Sequence, residues 1–288
     1  MVLYLILNIV TSSFLFVILK GFKKWNVNTL TAISINYFVA GFLGWWNLEN
    51  STQSFNEATL ELWVSTLVIG FLLITVFQLL AKTSQNSGVA VASIALKMSM
   101  VIPIFLGWFL YNDEITLFKG IGIGLSITAV GLASFDSEKK DINLSGFIFP
   151  FLLFIGGGLV DSSLKYTQHH FLNDGNINFL LMVSLLVASV LGMLFMLADK
   201  HLKLKNIGYQ TILGGLILGV FNYYSLFALL KALNMEGAES SSIFAILNVG
   251  VVITSVFLAV LLFKETVGKL KLLGIGCAIL AILFLTIV

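Results

Sequence analysis

Residues Ala278–Val288 read AILAILFLTIV, a run with no polar face however it is wound. A transmembrane β-strand alternates polar and apolar side chains over about ten residues, and this run does not alternate. Lipid offers no partner to an unpaired backbone amide, so the segment must be helical. Extended back to Lys269 it becomes KLKLLGIGCAILAILFLTIV, close to the roughly 20 residues that cross the hydrocarbon core.

The same reading extends to the rest of the chain. Ten such stretches are expected: Val2–Leu19, Asn28–Trp46, Leu62–Leu80, Ser87–Leu110, Leu117–Phe135, Gly146–Tyr166, Ile177–Ala198, Tyr209–Leu230, Ser240–Phe263 and Lys269–Val288. Composition agrees, with 58% hydrophobic and 10% charged residues over 288 positions, against about 45–50% and about 25% in soluble domains. The joints between spans are short, with no Pro/Ser-rich linker and no charge block, so one integral membrane domain is expected. The first span has no basic n-region, and Gly21, Phe22, Lys23, Lys24 and Trp25 follow it without a small-x-small site. It therefore reads as a retained helix and not as a secretion signal. Cys277 is the lone cysteine and cannot form an intrachain disulfide.

All sixteen basic residues are lysines. With the N-terminus outside, the inward joints hold most of them, which by the positive-inside rule favours both termini outside.

The chain also repeats itself. Phe77–Gly122 reads FQLLAKTSQNSGVAVASIALKMSMVIPIFLGWFLYNDEITLFKGIG, and Phe227–Gly276 reads FALLKALNMEGAESSSIFAILNVGVVITSVFLAVLLFKETVGKLKLLGIG. Each has a small-residue helix start, a polar residue near mid-helix, an aromatic, an acid past the helix end and a glycine-bearing helix. Phe105 pairs with Phe257, Tyr111 with Phe263 and Asp113 with Glu265, each 152 positions apart. Five spans per half is an odd number, which forces the halves, residues 1–137 and 143–288, into opposite orientations. The expected fold is therefore an all-α integral membrane protein of ten transmembrane helices in a 5+5 inverted repeat, an architecture used for alternating access.

SGVAVASIALKMSMVIPIFLGWFLYNDE and AESSSIFAILNVGVVITSVFLAVLLFKE, each with its glycine helix, resemble the drug/metabolite transporter superfamily. The likeness is to ten-helix members with two EamA-type halves and to the related sugar-uptake branch. It extends over the whole chain in length and span count, and it implies a multi-pass carrier of the cell membrane. Thr254 or Ser255 stands where the first half has Pro103, and the lysine pattern departs from the cytoplasmic termini of many members.

Polar side chains inside the spans mark the candidate site. A charge at mid-bilayer costs about 2.5–3.5 kcal/mol on insertion scales, so it usually faces a cavity or a partner. Lys97 lies near the middle of its span, about 15 Å from either end at 1.5 Å per residue. It reads as a cavity-facing cation for an anionic or polyhydroxyl cargo, or alternatively as a structural lysine paired with a neighbouring helix. Asn248 lies near its repeat position. Asn8, Asn36, Asn222 and Tyr223 sit near the middle of their spans and are expected to line the site, the alternative being hydrogen bonding between helices. Asp161 and Lys165 are four apart and share a helix face. Asp161 is a candidate proton carrier, or a plain partner for Lys165 or Lys97. Pro103 should bend its span just past Lys97, and Gly156–Gly158 soften the sixth span before Asp161. These three features are candidate elements of coupling and gating.

Other patterns carry no chemistry. GIGIG at Gly120–Gly124 and GGLILG at Gly214–Gly219 lie inside spans and read as helix packing. His169 and His170 read as solvated surface, and Trp45, Trp46 and Trp63 as interfacial anchors. There is no HExxH, GxSxG or Walker motif, so no enzyme activity, cofactor or metal is expected. The expected partners are a small-molecule solute and the lipid bilayer, with no nucleic acid; a monomer suffices, and a dimer is possible. The function expected is secondary-active transport of a small polar metabolite such as an amino acid, sugar or related solute. The alternatives are a non-transporting scaffold or receptor and an intramembrane lipid-modifying enzyme.

Overall fold

The computed structural model describes residues 2–46, 59–111, 116–135, 144–171, 177–198, 208–233 and 240–286. Every regular element among them is an α-helix. In chain order these are α1 Val2–Lys24, α2 Thr29–Trp46, α3 Leu60–Asn86, α4 Val89–Met98, α5 Val101–Tyr111 and α6 Leu117–Ser134. They are followed by α7 Leu144–Phe171, α8 Ile177–Ala198, α9 Tyr209–Leu233, α10 Ser240–Phe263 and α11 Lys269–Thr286.

Among the described residues nine helical segments are long and apolar enough to cross a membrane, with α4 and α5 together counting as one. The helix α2 also forms where a span was expected, but Asn36 and Tyr37 dilute its apolar character. Phe38, Phe109, Leu213 and Leu261 stand exposed. Large apolar side chains exposed on so many helices are covered by acyl chains in a bilayer. Trp45, Trp46 and Trp63 are also exposed, at the end of α2 and the start of α3.

The expected fourth span is two helices. The break falls at Ser99–Met100. A proline ring clashes with the carbonyl four residues earlier and has no N–H to give it, and four residues before Pro103 is Ser99. The chain tightens there, with Ile102 N–H donating to the Ser99 carbonyl at 2.9 Å. The repeat supplies the control. The helix α10 has Thr254 and Ser255 in place of the proline and runs unbroken from Ser240 to Phe263. Pro150, by contrast, lies within α7 without interrupting it.

The helices sort into two compact units. One comprises Met1–Gly21, Leu79–Gly158 and Tyr224–Val288; the other comprises Phe22–Gln78 and Leu159–Tyr223. Each draws on both halves of the chain. In the first unit, α6 and α11 pack through glycine: Gly122 lies against Leu285 and Ala281, and Gly274 against Ala129 and Ala133. Leu5, Ala232, Ile243 and Leu247 form a further core there. In the second unit, α2 packs on α8 with Gly41 against Leu186 and Gly44 against Met182. Leu62, Ile69, Phe179, Leu180, Met182 and Val183 form its core. Gly215 and Gly219 let α9 lie directly on α2, where a Cβ would come within 2.8 Å of the Ala32 and Asn36 carbonyl oxygens. GGLILG is thus helix packing. In GIGIG only Gly122 packs, because Gly120 and Gly124 face open space.

Candidate functional site

Two of the candidate residues, Lys97 and Asn248, lie at the helix break of the first unit. Lys97 closes α4 as its last-turn cation, two residues before Ser99, and is half-buried. A cation there complements the negative end of the helix dipole. Across from it on α10, the Asn248 carboxamide, 9% exposed, approaches the Met100 thioether, with Nδ2 to Sδ at 3.6 Å. Gly157 of α7 packs on Ser99 and Leu96, and Gly158 packs on Ile102. Gly157 and Gly158 therefore provide close packing over the break. Irregular backbone at membrane depth is tolerated where protein buries it or where it lines a cavity; here α7 covers one side.

Asn8 of α1 belongs to the same unit. Its Nδ2 donates to the Ser225 carbonyl of α9 at 2.7 Å. The next residue, Ile9, packs against Gly250 of α10, and further along α1 the Ser13 hydroxyl donates to the Val251 carbonyl at 3.4 Å. Asn8 thus ties α1 to α9.

The remaining candidates lie in the second unit. Asn36 is fully buried, and neither end of its carboxamide has a hydrogen-bond partner. Its neighbour Tyr37 is satisfied, donating from its hydroxyl to the Leu73 carbonyl at 2.9 Å, with its ring edge-on to Phe77. Asn222 is buried and Tyr223 is half-buried, at the last residues α9 gives this unit. Asp161 and Lys165 are both exposed on α7. Their four-residue spacing still places them on one face.

Sequence reading missed a cluster at the far end of the first unit. The Glu265 carboxylate accepts from the Val89 backbone N–H at 3.1 and 3.3 Å and is ion-paired with Lys20. The repeat did flag Glu265, as the acid after its helix, but nothing in the sequence named its partners. Among the described residues no group of three or more His, Cys, Asp or Glu side chains gathers as a metal site. His170 stacks on Tyr166, the ring centroids 4.2 Å apart.

Apolar helices with outward-facing aromatics, one of them broken beside an intramembrane lysine, define a polytopic α-helical membrane protein. The EamA-like transporter family model matches residues 1–135 and again residues 145–287. The chain belongs to that family, and it is a membrane transporter of the drug/metabolite type with two repeats. An uncharacterized protein of Haemophilus influenzae is 25% identical over 290 residues, spanning 96% of this chain and 95% of the relative. A solved crystal structure shares the fold at a TM-score of 0.57 and 9% identity, over 97% of this chain and 98% of that one.

Proposed function

We propose that this protein is a secondary-active carrier that moves a small polar metabolite, such as an amino acid or sugar, across the cell membrane by alternating access. The observation that carries this reading is the break at Ser99–Met100 between Lys97 and Pro103. Interrupted helices in transporters bring unwound backbone and helix ends to the level where cargo binds. Here the break lies beside an ammonium on α4 and opposite a carboxamide on α10.

In this reading Lys97 and Asn248 bind cargo, and Asn8 holds α1 beside them. In the second unit the polar candidates are Asn36, whose carboxamide is unpaired, Asn222 and Tyr223. Asp161 is the coupling carboxyl, with Lys165 one turn further along α7, and Pro103 keeps the break open. The halves, residues 1–137 and 143–288, exchange conformations as antiparallel five-helix repeats, with both termini outside. Energy comes from an ion gradient or from the solute's own gradient, and one copy of the chain is sufficient.

The test is uptake by purified protein in proteoliposomes over a panel of amino acids, sugars and their anionic derivatives, with imposed proton and sodium gradients. Gradient-sensitive accumulation of at least one solute is expected. No accumulation across the panel, from protein that is folded and inserted, would favour a scaffold. Asp161→Asn should remove the pH dependence of uptake, and a persistent proton-driven signal would clear Asp161 of that role.

A further inference from the structure

At one end of the first unit a single carboxylate meets three helix ends. The helix α10 stops at Phe263 because Lys264 takes a left-handed conformation, φ 53°, while its N–H still reaches the Val260 carbonyl at 3.0 Å. This is an αL helix end, and the next residue is Glu265. Its carboxylate meets the start of α4 and the end of α1 together. Both oxygens lie within hydrogen-bond reach of the Val89 N–H, a donor that a helix start leaves without an internal partner. One oxygen is also paired with the Lys20 ammonium, which lies over the Phe263 ring at 5.6 Å from its centroid.

The local sequence is shaped around this contact. Gly88 has φ 107°, a conformation that side chains rarely adopt. A Cβ there would also crowd the Glu265 carboxylate, at 3.1 Å from Cδ. The same end is tied once more where Gln85, at the end of α3, donates from Nε2 to the Leu19 carbonyl at 2.9 Å. Three helix ends therefore converge on one carboxylate: the close of α1, the start of α4 and the close of α10.

We propose that Glu265 is a latch that holds this end of the first unit shut and releases Lys20 and the α4 N-terminus when the end opens. The proposal rests on the carrier reading for its purpose, since only a protein that opens alternately needs a releasable fastening. An ordinary helix cap would contact one helix. This carboxylate joins both chain halves, Lys20 and Val89 on one side and the α10 turn on the other. The interaction exists only while the three ends are together, so removing it shifts the population toward the open form.

Ser13 reports opening. It is fully buried, lies about two turns below Lys20 on α1, and bonds to Val251 of α10, so separation of those helices uncovers it. With Cys277→Ser as background, Ser13→Cys is labelled by a bulky polar maleimide in lipid nanodiscs, where both membrane faces are accessible. Glu265→Gln, Lys20→Met and Gly88→Ala are each expected to raise the labelling rate by about fivefold to thirtyfold, the factor set by one moderate interaction. Lys20→Met, at a helix end, keeps the test available if Glu265→Gln does not fold. Unchanged labelling in the variants that elute as monodisperse protein overturns the latch, whatever the transport result. Absence of solute flux in the unmodified protein, with labelling still accelerated by the variants, overturns the carrier reading and leaves the latch standing.

Discussion

A Cβ on Gly122 would lie 2.7 Å from Leu285 Cγ and 3.2 Å from the Ala281 carbonyl. That contact sets the closeness of α6 and α11, the pair that closes both halves of the repeat. Two residues to either side, at Gly120 and Gly124, the same addition meets nothing. Gly122→Val should therefore destabilise the protein by about 1–3 kcal/mol, the cost of overpacking. Gly124→Ala should be neutral or stabilising by about 0.5–1 kcal/mol, from relief of helical glycine. Melting temperatures in detergent decide this, and equal melting of the two variants would contradict the packing.

Asn36 offers a test that separates stability from function. Its carboxamide is buried and unpaired, and an unsatisfied buried polar group costs about 1–3 kcal/mol. Asn36→Leu should raise the melting temperature and lower cargo uptake. A stabilised variant with full uptake would remove Asn36 from the cargo site. A destabilised variant would mean the amide has an ordered-water partner.

Pro103→Ala permits α4 and α5 to join, as α10 does without a proline. Uptake should fall severalfold while the melting temperature holds or rises, because the change restores a helix hydrogen bond and removes the clash at Ser99. Unimpaired uptake would make the break incidental to transport.

Lys97→Ala should reduce uptake by about tenfold or more, corresponding to at least about 1.4 kcal/mol of lost cargo interaction, without loss of membrane insertion. Asn248→Ala should cost less, since a neutral hydrogen bond contributes about 0.5–1.5 kcal/mol. Concentration dependence of uptake is the measurement. A raised KM marks loss of binding. Unchanged kinetics in the lysine variant would return Lys97 to a structural role.

The spans could be read directly because lipid constrains composition so strongly: AILAILFLTIV permits no structure but a helix. The break at Ser99 was foreseeable in kind from Pro103, whose chemistry acts four residues upstream whatever the surroundings. The spacing of Asp161 and Lys165 was equally legible, but their exposure was not, because position along a helix does not say what lies beside it. The same limit applies to the asparagines. Asn8 and Asn36 look alike in the sequence, each a single amide within an apolar run. Yet Asn8 holds the Ser225 carbonyl while Asn36 has no partner.

The one-dimensional pattern of apolar runs and a repeated motif determined that this chain is a helical membrane protein built twice over. Each of those features acts through the solvent or through the covalent backbone, so none needed a neighbour to be known. Tertiary structure alone decided which glycines press on another helix, which amides are satisfied, and that Glu265 reaches Lys20 and the start of α4 from 245 and 176 positions away. Those outcomes depend on how helices distant in sequence are placed against one another, and a pairwise contact carries no signature in either segment by itself.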